Sequence, residues 1–153
     1  MINICLFEPE IASNTGNIGR TCLLTGSRLH LIRPFPFRLD DKSLKRAGMD
    51  YWKDVDLVIH DSLIDFLQYV GESRIFLSTT KTNKYYHEVK YMDGDFIVFG
   101  SESCGLPDEL REYYSENCIK IPMLSTTTRS LNLANSVSII LYEALRQNGF
   151  TNL

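Results

Sequence analysis

The 153-residue sequence lacks an apolar run long enough to cross a membrane, and its start has neither a basic region nor a small-residue cleavage site. It also has few cysteine and histidine residues that could bind zinc. The four cysteines are widely separated without a C-x-x-C pair, and only three histidines accompany them. We therefore expect a cytoplasmic protein with reduced thiols and no metal ion.

An excess of positive charge is missing as well. The chain has 16 Lys and Arg residues against 19 Asp and Glu, and the net charge of −3 argues against binding nucleic acid through the overall field. A negative net charge does not exclude a local basic patch. The remaining composition, 44% hydrophobic and 23% charged, is that of an ordinary globular protein. We expect residues 1–153 to form a single domain.

Short apolar segments alternate with helical segments along the whole chain. Strands are predicted over residues 2–7, 29–32, 57–60, 74–79, 95–100 and 118–121. Capping residues and glycines predict one helix from Asn14 and Thr15 to Gly26, a second from Asp40 and Asp41 to Gly48, and a third from Asp61 to Gly71. A further helix is predicted to start at Pro107. This alternation with short connections predicts an α/β fold, with a mostly parallel sheet and helices on both faces.

The last helix, predicted over residues 131–147, has an unusually wide apolar arc. One apolar stripe is formed by Leu133, Val137, Ile140, Leu141, Ala144 and Leu145. Leu131 and Tyr142 widen this arc to roughly 200°, against roughly 100° for an ordinary surface helix. The extra width fits either a helix buried deep in its own domain or a homodimer interface.

A polar segment, residues 121–135, joins the last strand to this helix. It contains three threonines, two serines, an arginine and two asparagines, more than a simple connection needs. Such a density of donors and acceptors predicts a ligand site at the start of the helix.

Residues 8–20 follow the first strand and open the first helix, where exposed N–H groups attract anions. Gly16 and Gly19 would let a backbone or substrate approach closely, and Arg20 could bind a phosphate or carboxylate through its planar fork. The glycine spacing matches neither the dinucleotide fingerprint nor a Walker loop. The alternative is a helix capped by Asn14 with a solvated Arg20.

Residues 99–107 form a second glycine-rich segment, after the fifth strand. Glycines at the carboxyl end of a strand could admit a planar ring against the backbone, and Glu102 could accept hydrogen bonds. A plain strand-to-helix turn is the alternative. No histidine is near Cys104 in sequence, so we expect a buried, inert cysteine and not a nucleophile.

The most basic segment, residues 33–46, combines cations with Phe35 and Phe37, the mixture that binds phosphates and stacks unpaired bases. Its cations are Arg33, Arg38, Lys42, Lys45 and Arg46. The alternative is a proline-bent loop that packs both rings into the core beside a solvated helix. A smaller polar loop, Lys81 to Lys84, could add contacts to RNA, and a solvated turn is the alternative.

Three segments together carry a family resemblance. They are Asn14-x-Gly-Asn-x-x-Arg20, Gly100-x-Glu-x-x-Gly-Leu-Pro107, and Ile121-Pro-Met123 with Arg129-Ser-Leu-Asn-Leu-Ala-Asn-Ser-Val137. In this order they resemble the three motifs of the SPOUT RNA methyltransferases. Over essentially the whole chain the sequence looks like the TrmL (YibK-like) group, although residues 124–128 form a longer loop than is usual there.

The resemblance implies a deep C-terminal trefoil knot and a homodimer through the terminal helices. It implies S-adenosylmethionine as cofactor, S-adenosylhomocysteine as product, and 2'-O-methylation of the wobble cytidine or uridine in tRNA, with leucine tRNAs as the expected substrates. Alternatives are a 2'-O-methyltransferase of ribosomal RNA and a non-catalytic RNA-binding module with the same fold.

The resemblance also implies roles for individual residues. Cofactor contacts fall on Ser78, Gly100, Glu102, Ile121, Met123 and Ser130. Catalytic roles fall on Arg20, Asn14, Ser130 and Asn132. RNA contacts fall on Arg20, Arg33, Arg38, Lys42, Lys45, Arg46, Lys81 and Tyr142. Arg20 is expected to reach the partner's active site and to stabilise negative charge, because a guanidinium stays protonated and is a poor general base.

Overall fold

Six parallel strands form one sheet in the computed structural model, which describes residues 1–46 and 48–153. Their spatial order is β3-β2-β1-β5-β4-β6, and every pairing among them is parallel. The strands are β1 (Asn3–Phe7), β2 (Arg28–Ile32), β3 (Leu57–His60), β4 (Ile75–Ser78), β5 (Phe96–Phe99) and β6 (Cys118–Ile119). The predicted strands and the parallel α/β class are confirmed.

The last strand is shorter than predicted, because after Ile119 the chain pairs only through a single bridge between Lys120 and Tyr85. The residues that follow are therefore free of the sheet and can contribute to a loop. The trefoil knot implied by the resemblance stays a prediction.

Five α-helices and two short 3₁₀ helices connect the strands in the described part of the chain. They are α1 (Ala12–Thr25), α2 (Asp41–Arg46), α3 (Leu63–Val70), α4 (Asp108–Tyr113) and α5 (Leu133–Gln147), with 3₁₀ helices at Asp50–Asp54 and Ser115–Asn117. None of the helices within residues 1–46 and 48–153 has the length and apolar character needed to cross a bilayer.

The predicted helix ends hold better than the predicted starts. Gly26 and Gly71 follow α1 and α3 with φ of 64° and 58°, a conformation that glycine adopts at low cost. Ser62, not Asp61, caps α3 by accepting a hydrogen bond from Asp65 N at 3.1 Å. The predicted end of α2 at Gly48 includes residue 47, which lies outside the described residues.

Two helix starts differ from the predicted ones, one because of a contact distant in sequence and the other because of a local cap. The helix α1 begins two residues before Asn14, so Asn14 is a buried residue of the first turn and not the cap. The helix α5 begins at Leu133, two residues later than predicted, because Asn132 caps it.

Helices cover both faces of the sheet and bury two apolar cores, as predicted. The alternation of strand residues separates them, since Ile4 and Leu6 face one core and Cys5 faces the other. The first core packs under α1 and α5, and the second under α3 and α4. Each fully buried Leu or Ile contributes roughly 1.5–3 kcal/mol to folding.

The wide apolar arc of α5 is only partly covered. Val137, Ile140, Leu141 and Ala144 are completely buried. By contrast, Ile139 is 36% exposed and Tyr142 47%, and Leu131, which precedes the cap of α5, is 38% exposed. The extra width is therefore not explained by burial within the chain's own core.

Candidate active site

A cavity of about 630 Å³ opens at the carboxyl ends of β4 and β5, beside the start of α1. Parallel α/β sheets commonly bind ligands at this edge, where loops from several strands converge. Of the residues singled out from the sequence, the cavity is lined by Asn14, Ser78, Lys81, Gly100, Glu102, Ile121, Met123, Ser130 and Asn132. Segments distant in sequence thus meet around one space.

The loop after β5 folds back on itself directly beside Gly100. Ser101 and Gly105 exchange backbone hydrogen bonds of 3.0 and 3.3 Å. A Cβ at Gly100 would collide with the backbone of Gly105 and Leu106. The absence of a side chain at this glycine therefore lets the loop's own backbone approach, while Gly100 still lines the cavity, and its contact with a planar ring stays a prediction.

Glu102 joins this loop to the start of α1. Its carboxylate accepts hydrogen bonds from Glu10 N at 3.1 Å and from Ile11 N at 2.5 Å. These N–H groups lie at the helix start, where a negative charge also interacts favourably with the helix dipole. Glu102 thus takes the capping role that the sequence suggested for Asn14.

A second contact runs in the opposite direction between the same two segments. Glu10 accepts hydrogen bonds from Ser103 N at 3.2 Å and from Ser103 Oγ at 2.6 Å. Hydrogen bonding to Ser103 lowers the pKa of Glu10. Sequence reasoning missed both residues, because a reciprocal contact between loops leaves no local pattern.

Asn132 joins the start of α5 to α1. Its Nδ2 donates to Asn14 Oδ1 at 3.0 Å, while its Oδ1 accepts from Ala134 N at 2.9 Å and from Asn135 N at 3.3 Å. Asn14 is 6% exposed, so this bond satisfies a buried acceptor. Glu102 and Asn132 together fasten the second and third motif segments to the first.

The third segment, residues 122–131, is exposed along its length. Within the part of the chain that the structure describes, its one hydrogen bond runs from Arg129 N to Thr127 Oγ1 at 3.2 Å. Met123 and Ser130 line the cavity from the two ends of this segment. Between them the path is fixed by few contacts.

Arg20 lies outside this cavity, exposed on α1. Its guanidinium carbon is 4.8 Å from the centroid of the Tyr51 ring. The Tyr51 hydroxyl donates to Gly16 O at 2.8 Å, and burial raises the pKa of Tyr51. Gly16 and Gly19 do allow a close approach, but to the side chains of Met49 and Trp52, not to backbone or substrate.

The basic segment is partly neutralised by its own carboxylates. Arg33 lies 3.6 Å from Asp61, and Arg38 lies 2.8 Å from Asp40. The cations of α2, which are Lys42, Lys45 and Arg46, are exposed.

The two rings of the basic segment stack on each other. The centroids of Phe35 and Phe37 are 5.0 Å apart, both rings are half-buried, and Phe35 packs against the core. This arrangement is nearer to the core-packing alternative than to a free base-stacking platform.

Cys104 is exposed at the cavity, with its Sγ 3.4 Å from Ser103 Oγ, so the expectation of a buried cysteine is wrong. The turn between Ser101 and Gly105 carries it outward. Among the described side chains, which leave out those of residues 41, 44 and 47, no three from His, Cys, Asp or Glu are grouped as metal ligands would be.

Comparison with known proteins gives this arrangement a family. The SpoU rRNA Methylase family matches residues 1–142. The tRNA (cytidine(34)-2'-O)-methyltransferase of Saccharophagus degradans is 50% identical over 151 residues, which cover 98% of this chain and 97% of that protein.

Two solved structures share the fold. One, described as giving structural insights into the 2-OH methylation of C/U34 on tRNA, has a TM-score of 0.89 and 43% identity over 97% of both chains. The SpoU methyltransferase AviRb from Streptomyces viridochromogenes in complex with AdoMet has a TM-score of 0.79 and 23% identity, over 95% of this chain and 60% of that one. The family match and the 50% identity show that this chain belongs to the SpoU rRNA methylase family.

Proposed function

We propose that the protein transfers the methyl group of S-adenosylmethionine to the 2'-hydroxyl of the wobble ribose in tRNA, with leucine tRNAs as the expected substrates. The observation that carries the proposal is the convergence of the three motif segments on one cavity, fastened by Glu102 and Asn132. The tRNA specificity is supported by relatives named for cytidine 34 that match nearly the whole chain.

The cavity fits S-adenosylmethionine in size and chemistry. Small-molecule sites usually have volumes of roughly 300–1,000 Å³, and this one measures about 630 Å³. The backbone near Gly100 and Ile121 and the Met123 side chain would hold the adenosine part, and the hydroxyls of Ser78 and Ser130 offer polar contacts. Glu102 would contribute by holding its loop in place, because its carboxylate is occupied by Glu10 N and Ile11 N.

The bound cofactor supplies a methyl group that is already activated by the sulfonium sulfur. Transfer to the ribose 2'-oxygen would replace the sulfur–carbon bond by an oxygen–carbon bond and leave S-adenosylhomocysteine, and the hydroxyl proton would pass to phosphate or water. The protein contributes positioning and charge stabilisation. Asn14 and Asn132 hold the segments that position the ribose, and Arg20 binds the adjacent phosphate and stabilises the developing alkoxide.

A homodimer through the terminal helices would complete this site. Ile139 and Tyr142 leave an apolar strip of α5 exposed, which a second copy could cover. Arg20 does not line the cavity of its own chain, so its contribution would come from the partner. Arg33, Arg38, Lys42, Lys45, Arg46 and Lys81 would bind the RNA backbone, and the protein would act in the cytoplasm.

Mapping 2'-O-methylation in tRNA from cells that lack the protein tests the proposal. We expect loss of the wobble methyl group, restored by the wild-type gene and not by Arg20→Ala. Unchanged tRNA together with a lost methyl group in ribosomal RNA would replace the proposed substrate. Calorimetry that detects no binding of S-adenosylmethionine by the purified protein would indicate a non-catalytic RNA-binding module.

A further inference from the structure

A short 3₁₀ helix, Asp50–Asp54, lies directly on the face of α1 that precedes Arg20. Two glycines make this approach possible. A Cβ at Gly16 would collide with Met49 Sδ, and a Cβ at Gly19 would collide with the Trp52 ring. Trp52 is 6% exposed, so the 3₁₀ helix is anchored in the core and cannot move independently of α1.

Tyr51 lies between these two anchors and faces Arg20. Its hydroxyl is fixed by the 2.8 Å hydrogen bond to Gly16 O, and its ring lies 4.8 Å from the Arg20 guanidinium carbon. We propose that Tyr51 is a positioning residue that holds the Arg20 guanidinium in the orientation needed at the reaction centre. The proposal rests on the proposed function of Arg20 and names the side chain that orients it.

Arg20 needs such a positioning residue because no other described side chain holds its guanidinium. Arg20 is exposed, and among the side chains that the structure describes, which leave out those of residues 41, 44 and 47, no ion pair and no side-chain hydrogen bond of Arg20 is formed. A free arginine samples many rotamers, and fixing one of them on substrate binding costs conformational entropy. The Tyr51 ring restricts these rotamers before the RNA arrives.

A contact with the face of an aromatic ring also leaves the hydrogen-bond donors of the guanidinium available. An aromatic ring attracts the flat face of a guanidinium, whereas the N–H donors point outward along its edge. The donors therefore remain available for a phosphate and for a developing alkoxide. A carboxylate partner would have occupied those same donors.

Two variants of Tyr51 separate the ring from the hydroxyl. Tyr51→Leu removes the ring, and we expect single-turnover methyl transfer at saturating tRNA to fall ~10-fold, corresponding to one lost cation–π contact and its orientation. Tyr51→Phe keeps the ring and loses the bond to Gly16, and we expect a fall of only about 2- to 3-fold. Binding of S-adenosylmethionine stays unchanged in both variants, because neither Tyr51 nor Arg20 lines the cavity.

Tyr69→Phe is a matched control. The Tyr69 hydroxyl also contacts an arginine, Arg28 Nη1, at 3.3 Å. Arg28 is the first residue of β2, so this contact lies at the amino-terminal ends of the strands, whereas the cavity lies at their carboxyl ends. We expect its methyl transfer rate to equal that of the wild type.

A double-mutant cycle with Arg20→Ala distinguishes positioning from general support of the fold. If Tyr51 acts through Arg20, Tyr51→Leu causes no further loss of rate in the Arg20→Ala protein. An equal ~10-fold loss in both backgrounds would overturn the proposal, because Tyr51 would then act independently of Arg20.

A spectroscopic measurement keeps the proposal testable if the RNA substrate differs from the proposed one. In ¹⁵N-labelled protein we expect the Arg20 side-chain N–H signal to be shifted by the Tyr51 ring current, to stay shifted in Tyr51→Phe, and to move to its random-coil position in folded Tyr51→Leu. An unshifted signal in the wild type would refute the stacking itself. A shifted signal in a protein that methylates no tRNA would instead refute the proposed function alone.

Discussion

Two loops that line the same cavity differ sharply in how they are held. The loop 100–105 folds back through paired backbone hydrogen bonds and is fastened to α1 by Glu102 and by the contact between Glu10 and Ser103. The loop 122–131 is exposed, and in the described part of the chain it makes the single hydrogen bond between Arg129 and Thr127. One wall of the site is therefore formed in advance, whereas the other is held mainly at its ends.

This difference suggests how binding energy is used. Contacts with the loop 100–105 cost little ordering entropy, because that loop is already fixed. Contacts with the loop 122–131 must offset the ordering of several residues at roughly 1–2 kcal/mol of backbone entropy each. If the cofactor binds as proposed, its contacts with the formed wall would cost less ordering entropy than its contacts with the exposed one.

Hydrogen exchange gives the largest expected contrast between the two loops. Without cofactor we expect amides in 122–131 to exchange at nearly unprotected rates and the Gly105 amide to exchange at least ~100-fold more slowly, in line with their hydrogen bonding. Added S-adenosylmethionine should slow exchange mainly in 122–131. Equal protection of both loops before addition would remove the basis of the comparison.

Gly100→Ala should break the formed wall. The added methyl group would collide with the backbone of Gly105 and Leu106, which cannot move without breaking the paired hydrogen bonds. We expect unfolding free energy to fall by ~2–4 kcal/mol and cofactor affinity by at least ~10-fold, measured by denaturant melts and calorimetry. Thr126→Ala in the exposed loop is the control and should leave stability within about 0.5 kcal/mol. A stable Gly100→Ala protein with normal affinity would contradict the account of this loop.

Glu102→Gln should loosen the formed wall without removing a side chain. The amide keeps one acceptor but loses the charge that interacts with the N–H groups of Glu10 and Ile11. We expect a loss of ~1–2 kcal/mol in unfolding free energy, together with faster exchange in 100–105. Glu112→Gln on the exposed surface of α4 is the matched control. If both variants lose the same amount, the effect belongs to charge in general and not to this contact.

Sequence patterns predicted the strands and helices far better than the contacts between them. Parallel strands and helix ends follow from local apolar runs and glycines, so residues such as Gly26 and Gly71 could be placed correctly. The cap of α1 could not, because it comes from Glu102, more than ninety residues away in sequence. Arg20 was singled out through its motif, whereas Tyr51 was identified only once the fold had brought it beneath the guanidinium.

The smallest expected effect is a difference between the two loops in how their hydrogen exchange depends on pH. Hydrogen bonds from Ser103 lower the folded-state pKa of Glu10 below its ordinary value of 4.5. Its stabilising contribution is therefore fully present above about pH 4.5 and is lost as the pH falls through the lowered pKa. The loop 122–131 contains no Asp, Glu or His, so its own groups do not titrate in this range. Between pH 5.5 and 3.5, we expect hydrogen exchange corrected for intrinsic rates to increase slightly in 101–105 and to stay constant in 122–131. Glu10→Gln should abolish that increase, since it removes the carboxylate that accepts the hydrogen bonds from Ser103. An increase that persists in this variant would assign the acid sensitivity to a different group.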